Sequence, residues 1–171
     1  MRVTVPREEV NVRAMRAADA EEVAGIYNHY VTQTIITFEE EAVSSSEICQ
    51  RLHDVQSFSL PWLVAEHAGR VVGYAYAGKW KGRCAFRFST EVAVYVSPDK
   101  PGYGIGSRLY EQLLPALRAR EIHVAIAGIA LPNEGSRVLH EKFGFTKVAH
   151  FKDVGFKFER WIDVGYWQLI L

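Results

Sequence analysis

Apolar residues recur along this chain with two different periods, and each change of period marks a new element. After Asp19, the residues Val23, Ile26, Tyr27, Tyr30 and Val31 share one helical face, and Glu22 stands three positions on as a capping-box partner. Residues 11–15 before it read as a strand. A second helix opens at Ser44, with Glu47 in the capping-box position and Ile48, Leu52 and Val55 as its buried stripe. Residues 62–66 and 71–77 are β-type runs, and the four residues between them, His67 to Arg70, read as a hairpin connection. Residues 88–96 form a long β run interrupted by Glu91. Ile105, Leu109, Leu113 and Leu117 then return to helical spacing. Pro115 lies inside that helix and removes an amide donor, so a kink or an early end is expected there.

The remainder follows the same logic. Residues 123–129 read as a strand, and Leu131-Pro132-Asn133 as a turn whose Asn133 caps a helix carrying Val138, Leu139 and Phe143. Gly144 stands in the helix-ending position. Two strands, near 146–156 and 163–171, finish the chain. The order β-α-α-β-β-β-α-β-α-β-β predicts an α/β (α+β) fold with a mixed central sheet and helices on both faces.

Composition narrows the function. The 171 residues fit one domain spanning 1–171. Twenty basic residues balance twenty acidic ones, which argues against a general grip on nucleic acid or an anionic membrane. No apolar run approaches the ~18 residues that span a bilayer. The first ten residues lack a secretory apolar stretch, so a cytoplasmic location is expected. Cys49 and Cys84 are far apart, and no two histidines have ligand spacing, so neither disulfide nor metal is expected.

The main chemical signal is a strand, a glycine loop and a helix. Gly102, Gly104 and Gly106 leave backbone amides uncovered at a helix start, where the positive end of the helix dipole favours an anion such as a pyrophosphate. A phosphate loop of the Gly-Lys-Ser/Thr type lacks its lysine here. The dinucleotide fingerprint G-x-G-x-x-G is also absent, since Gly102 to Gly106 is G-x-G-x-G.

The loop, the strand before it and the Asn133 segment together resemble the GNAT acyltransferases, which are acetyl-CoA-dependent N-acetyltransferases. The resemblance is closest to their phosphinothricin N-acetyltransferase branch, which acetylates amino acids and glutamine-like analogues. It is carried by Ile26-Tyr27-Asn28-His29-Tyr30, Pro61-Trp62-Leu63-Val64-Ala65-Glu66, Tyr74-Ala75-Tyr76-Ala77-Gly78, Val94-Tyr95-Val96, Gly128-Ile129-Ala130-Leu131-Pro132-Asn133, His140-Glu141-Lys142-Phe143-Gly144-Phe145 and Asp163-Val164-Gly165-Tyr166-Trp167-Gln168-Leu169. It implies that the strands ending at Val96 and Ile129 splay apart around acetyl-CoA. Val94, Tyr95 and Val96 would meet the pantetheine arm. Gly102, Tyr103, Gly104, Ile105, Gly106 and Ser107 would hold the pyrophosphate. Asn133 and Ser136 would bond the arm. The family's basic loop positions are Pro101 and Tyr103 here, and Lys100 is the neighbouring substitute.

N-acetylation needs a base, because most amines are protonated at neutral pH. Glu91 is the first candidate. A carboxylate on a semi-buried strand has a raised pKa, and the resemblance places a glutamate there; the alternative is a salt bridge at the sheet. His140 is the second candidate. A lone helical histidine is more often structural, whereas the resemblance implies catalysis, with its role as acid, base or orienter left open. An amino-acid-like acceptor also carries a carboxylate. Lys79, Lys81 and Arg83 cluster after Gly78, and Arg83 is the preferred ligand because a guanidinium can hold a carboxylate bidentately. The resemblance sets Thr37 and Phe38 over the acceptor, and Tyr76 and Trp80 add to the wall. It also implies a homodimer, for which Trp161, Tyr166 and Trp167 are candidate interface residues. The competing readings are an acetyltransferase for a peptide or protein N-terminus or for another small amine such as an aminoglycoside, against which the basic loop Lys79 to Arg83 speaks, and a non-catalytic CoA-binding sensor.

Overall fold

A computed structural model describes residues 10–100 and 103–171. The elements run β1 (Val10–Ala14), α1 (Ala20–Gln33), α2 (Ser45–Ser57), β2 (Trp62–His67), β3 (Arg70–Lys79), β4 (Ser89–Val96), α3 (Ile105–Arg118), β5 (Val124–Leu131), α4 (Glu134–Lys142), β6 (Thr146–Lys157) and β7 (Arg160–Ile170), with short 3-10 turns at Ala17–Asp19 and Cys84–Phe86. This is the order expected from the hydrophobic pattern. The strands form one sheet in the order β1-β2-β3-β4-β5-β7-β6. Among the described residues only β4 and β5 pair in parallel, and the other neighbours are antiparallel.

Strand alternation assigns the two faces. On one face Tyr74 and Tyr76 stack with Trp62, and Tyr74 meets Tyr95, which in turn packs against Tyr27 and Tyr30 of α1. On the other face, a Cβ built on Gly73 would meet Ile105 Cγ2 at 2.8 Å and Leu109 Cδ1 at 3.5 Å. The bare backbone at Gly73 is therefore what lets α3 lie against β3. Helices cover both faces, as the pattern predicts.

Two local expectations change. Ser44 and Glu47 form their capping box: Ser44 Oγ accepts from Glu47 N at 3.2 Å, and Glu47 accepts from Ser44 N at 2.7 Å. Asp19 and Glu22 do not form one. The Asp19 carboxylate turns back to accept from both terminal nitrogens of Arg13 (2.7 and 2.9 Å) and from Arg16 N (2.8 Å), and Glu22 instead takes Arg70 Nε (2.8 Å). A two-pronged guanidinium outcompetes a single amide for a carboxylate. Its hydrogen bonds also hold the Asp19 carboxyl below the usual range. In the second case α3 does not end early at Pro115. It runs to Arg118, and Pro115 C=O accepts from Ala119 N at 2.9 Å. Burying Leu109, Leu113, Leu114 and Leu117, at ~2 kcal/mol each, offsets the proline's ~3 kcal/mol.

Candidate active site

The site is set by where pairing stops. β4 and β5 pair only at Ser89–Val124, Thr90–Ala125 and Glu91–Ile126. Beyond Glu91 the strands part, while β4 stays on β3 as far as Val96–Gly73 and β5 stays on β7 as far as Leu131–Asp163. The result is a notch in the sheet, lined by a cavity of about 600 Å³.

The backbone facing the notch follows from register. Ser97 N donates to Val72 C=O at 2.9 Å, so that pair is a hydrogen-bonded one. Antiparallel alternation then gives the same exchange to Tyr95–Tyr74 and Ala93–Tyr76; Val92 N–H still serves the last β4–β5 pair, Glu91–Ile126, and the backbone N–H and C=O groups of Val94 and Val96 turn away from β3 and toward the notch. Unpaired strand edges of this kind suit an amide-rich pantetheine arm. Tyr95 lines the cavity but its backbone is committed to β3, so only its ring is available. The Val96 carbonyl already accepts from Tyr30 OH at 2.5 Å.

At one end of the notch α3 begins. Gly104 caps it in the left-handed conformation (φ 72°), and Gly106 faces Leu139, whose Cδ2 would lie 2.9 Å from an added Cβ. Tyr103, Gly104, Ile105, Gly106 and Ser107 all line the cavity, as does Lys100, whose ammonium lies 5.5 Å from the Tyr103 ring centre. Gly102 lies outside the described residues. Lys142 of α4 donates to Ser107 Oγ at 2.8 Å, placing a second cation beside the helix start. Sequence reasoning missed it. Asn133 caps α4 by accepting from Ser136 N at 3.2 Å, which leaves its amide NH₂ for a ligand, and both residues line the cavity.

Glu91 lies where the strands fork. Burial pushes its carboxyl up, and the charge of Lys81 opposes the shift. Its Oε1 would be 3.3 Å from a Cβ on Gly128, so the glycine on the opposite strand makes room for the carboxylate. Among the described residues no salt bridge within 4 Å holds Glu91, although the Lys81 charge acts on it from farther off.

His140 is 3% exposed and both ring nitrogens are engaged. Nδ1 lies 2.7 Å from Ser136 C=O and Nε2 lies 2.8 Å from Tyr110 OH. A carbonyl can only accept, so Nδ1 carries the proton and Nε2 accepts from the tyrosine. Phe145 and Tyr110 pack edge-on to the ring, and burial lowers its pKa, keeping it neutral.

The acceptor end is only partly as expected. Tyr76 and Lys79 line the cavity, though the Lys79 ammonium lies over Phe58 (4.7 Å). Arg83 does not line it; it is exposed and precedes the Cys84–Phe86 turn. Thr37 and Phe38 are also outside the lining, and their neighbour Ile36 is the residue that reaches it. Thr37 is buried with its hydroxyl 2.8 Å from Tyr27 OH. Trp167, a candidate interface residue, is instead 1% exposed and bonds Glu141 through Nε1. Among the described residues no group of three or more His, Cys, Asp or Glu side chains is placed to hold a metal.

Residues 12–165 match the family described as an acetyltransferase (GNAT) domain. The chain belongs to the GNAT family and is an acetyl-CoA-dependent N-acetyltransferase. It is 40% identical over 162 residues to a phosphinothricin N-acetyltransferase of Streptomyces viridochromogenes, covering 95% of this chain and 88% of that protein. It is 36% identical over 162 residues to an L-methionine sulfoximine/L-methionine sulfone acetyltransferase of Salmonella typhimurium, covering 95% of each. A crystal structure of a phosphinothricin acetyltransferase from Sinorhizobium meliloti in complex with acetyl-CoA superimposes with a TM-score of 0.91 at 34% identity, over 95% of this chain and 89% of that one.

Proposed function

We propose that this enzyme moves the acetyl group of acetyl-CoA onto the α-amine of a small amino-acid-like acceptor of the phosphinothricin or methionine sulfoximine type. Transfer is direct. The amine nitrogen attacks the thioester carbonyl, an N–C bond forms, the C–S bond breaks, and the CoA thiolate leaves and takes up a proton. Glu91 removes the amine proton, and the Val94 N–H facing the notch stabilises the tetrahedral oxyanion. The observation that carries this reading is the position of the Glu91 carboxylate, open to the notch on the cavity wall, at the fork where the Val94 backbone becomes free. His140, with its lone pair committed to Tyr110, acts as an orienter of α4 and of that tyrosine. The pyrophosphate lies over the start of α3, and the acceptor carboxylate meets Lys79, the last residue of β3, at the cavity wall.

The same reading includes a role in resistance to toxic amino-acid analogues, a cytoplasmic place beside the acetyl-CoA pool, and a homodimer. Exposed aromatics on β6 and β7 support the dimer: Phe156 and Trp161 pack 4.8 Å apart, and Trp161 is 64% exposed. Such a row on neighbouring strands is the kind of surface a second copy covers. Sedimentation at several concentrations tests the dimer. For the activity, purified protein with acetyl-CoA and phosphinothricin, methionine sulfoximine or methionine sulfone should release free CoA thiol. Release with none of them, or with a broader amine panel only, overturns the acceptor assignment.

A further inference from the structure

Lys157, the last residue of β6, is 1% exposed, yet no carboxylate forms an ion pair with it among the described residues. Burial disfavours the ammonium, and the charges of Glu40 and Glu39 offset part of that cost without an ion pair, so its placement needs a structural reason. Its Nζ donates to the backbone carbonyl of Thr37 at 2.7 Å, across 120 residues of chain. Two residues earlier, Gly155 seats the Phe38 ring so closely that a Cβ there would lie 2.1 Å from Phe38 Cε1. Thr37 is also held from its own side by Tyr27.

These contacts have a topological meaning. The segment 34–43 leaves α1, which packs on the β1–β4 half of the sheet. Gly155 and Lys157 belong to the β5–β7–β6 half. The two halves share only three residue pairs before the notch opens. The segment therefore crosses the gap, and Ile36 within it forms part of the cavity wall. We propose that Lys157 is a positioning residue which, together with Gly155, straps segment 34–43 across the open arms of the notch and so fixes the acceptor wall without touching the acetyl-CoA end.

The acceptor part rests on the functional reading above, so the test separates the two. Lys157→Met keeps the length of the side chain and removes the donor; Lys157→Arg keeps a donor. Hydrogen exchange of amides 34–43 needs no acceptor. It should quicken about tenfold or more in Lys157→Met and return toward wild type in Lys157→Arg. With methionine sulfone as the probe, the acceptor KM should rise about tenfold in Lys157→Met, while the acetyl-CoA Kd stays within about twofold. Unchanged exchange, or equal weakening toward acetyl-CoA and acceptor, overturns the strap. If wild type acetylates no amino-acid analogue, the acceptor reading fails and exchange alone decides the strap. Should Lys157→Met fail to fold, Gly155→Ala, which unseats Phe38 and leaves Lys157 in place, faces the same measurements, and an unmoved segment there overturns the proposal.

Discussion

The two ends of the notch are built from different materials. In the proposed reading the donor end is mostly backbone: the free edge of Val94, the Val96 N–H, and the amides at the start of α3. The acceptor end is mostly side chains: Tyr76, Glu91, Lys79 and a connecting segment pinned from the far side of the sheet. Backbone groups are fixed by the sheet and helix that contain them, so a ligand common to a whole family is held by features that tolerate sequence change. Side chains and loops vary freely, and that is where acceptor choice is written. On this proposal a chain of zero net charge takes a strongly anionic cofactor through the positive partial charges of N–H groups rather than through surplus lysines.

The strongest way to break this contrast is at the fork itself. Glu91→Gln should lower kcat/KM about 100-fold or more near neutral pH while acetyl-CoA binding survives. In wild type, kcat/KM should climb as pH rises through the Glu91 pKa, because the base must be ionised, and burial sets that limb above the ordinary carboxylate range. A pH–rate profile of both proteins checks this; a Glu91→Gln enzyme with the wild-type rate removes the carboxylate from the mechanism. Gly128→Ala attacks the same carboxylate from β5. Its Cβ would press on Tyr166 Cε1 (3.2 Å) and Glu91 Oε1 (3.3 Å), so an activity loss of about tenfold is expected with the fold retained, read as kcat against an unshifted melting curve.

How much of this was readable in the chain follows from distance along it. The Ser44–Glu47 box spans three residues and was legible. So was the start of α3, marked by the strand before it and by Gly104 at its cap. Asp19 was misread because its partner, Arg13, belongs to another element and offers a better bond than the helix amides. Lys142 and Lys157 were missed for the same reason: their partners stand 35 and 120 residues away, and nothing in the local pattern of α4 or β6 marks them. Thr37 and Phe38 stand outside the cavity lining, because the fold turns their side chains onto Tyr27 and Gly155 and leaves Ile36 at the cavity. Arg83 shows the opposite limit. Residue type suggested a ligand, and the structure leaves it outside the cavity.

Smaller effects sharpen the contrast from the acceptor side. Tyr27→Phe removes the hydroxyl that meets Thr37 Oγ1 and leaves the ring packed against Tyr95. One neutral buried hydrogen bond is worth ~1 kcal/mol, so the acceptor KM should rise about fivefold and the acetyl-CoA Kd should not move. A matched rise in both would mean that the two ends are not independent.

The smallest expected effect falls on the donor end, where the backbone argument is most exposed to refutation. Lys142 reaches the first turn of α3 through Ser107. If N–H groups carry most of the pyrophosphate binding, Lys142→Met should weaken acetyl-CoA only about threefold, since an exposed charge acts through solvent and is screened by salt. Titration calorimetry at low and high ionic strength distinguishes the cases. The variant's deficit should shrink as salt rises, and the affinity that remains should be nearly salt-independent. A loss of about 100-fold would mean that the helix start needs its lysine, and that the neutral chain binds its anionic donor by local charge after all.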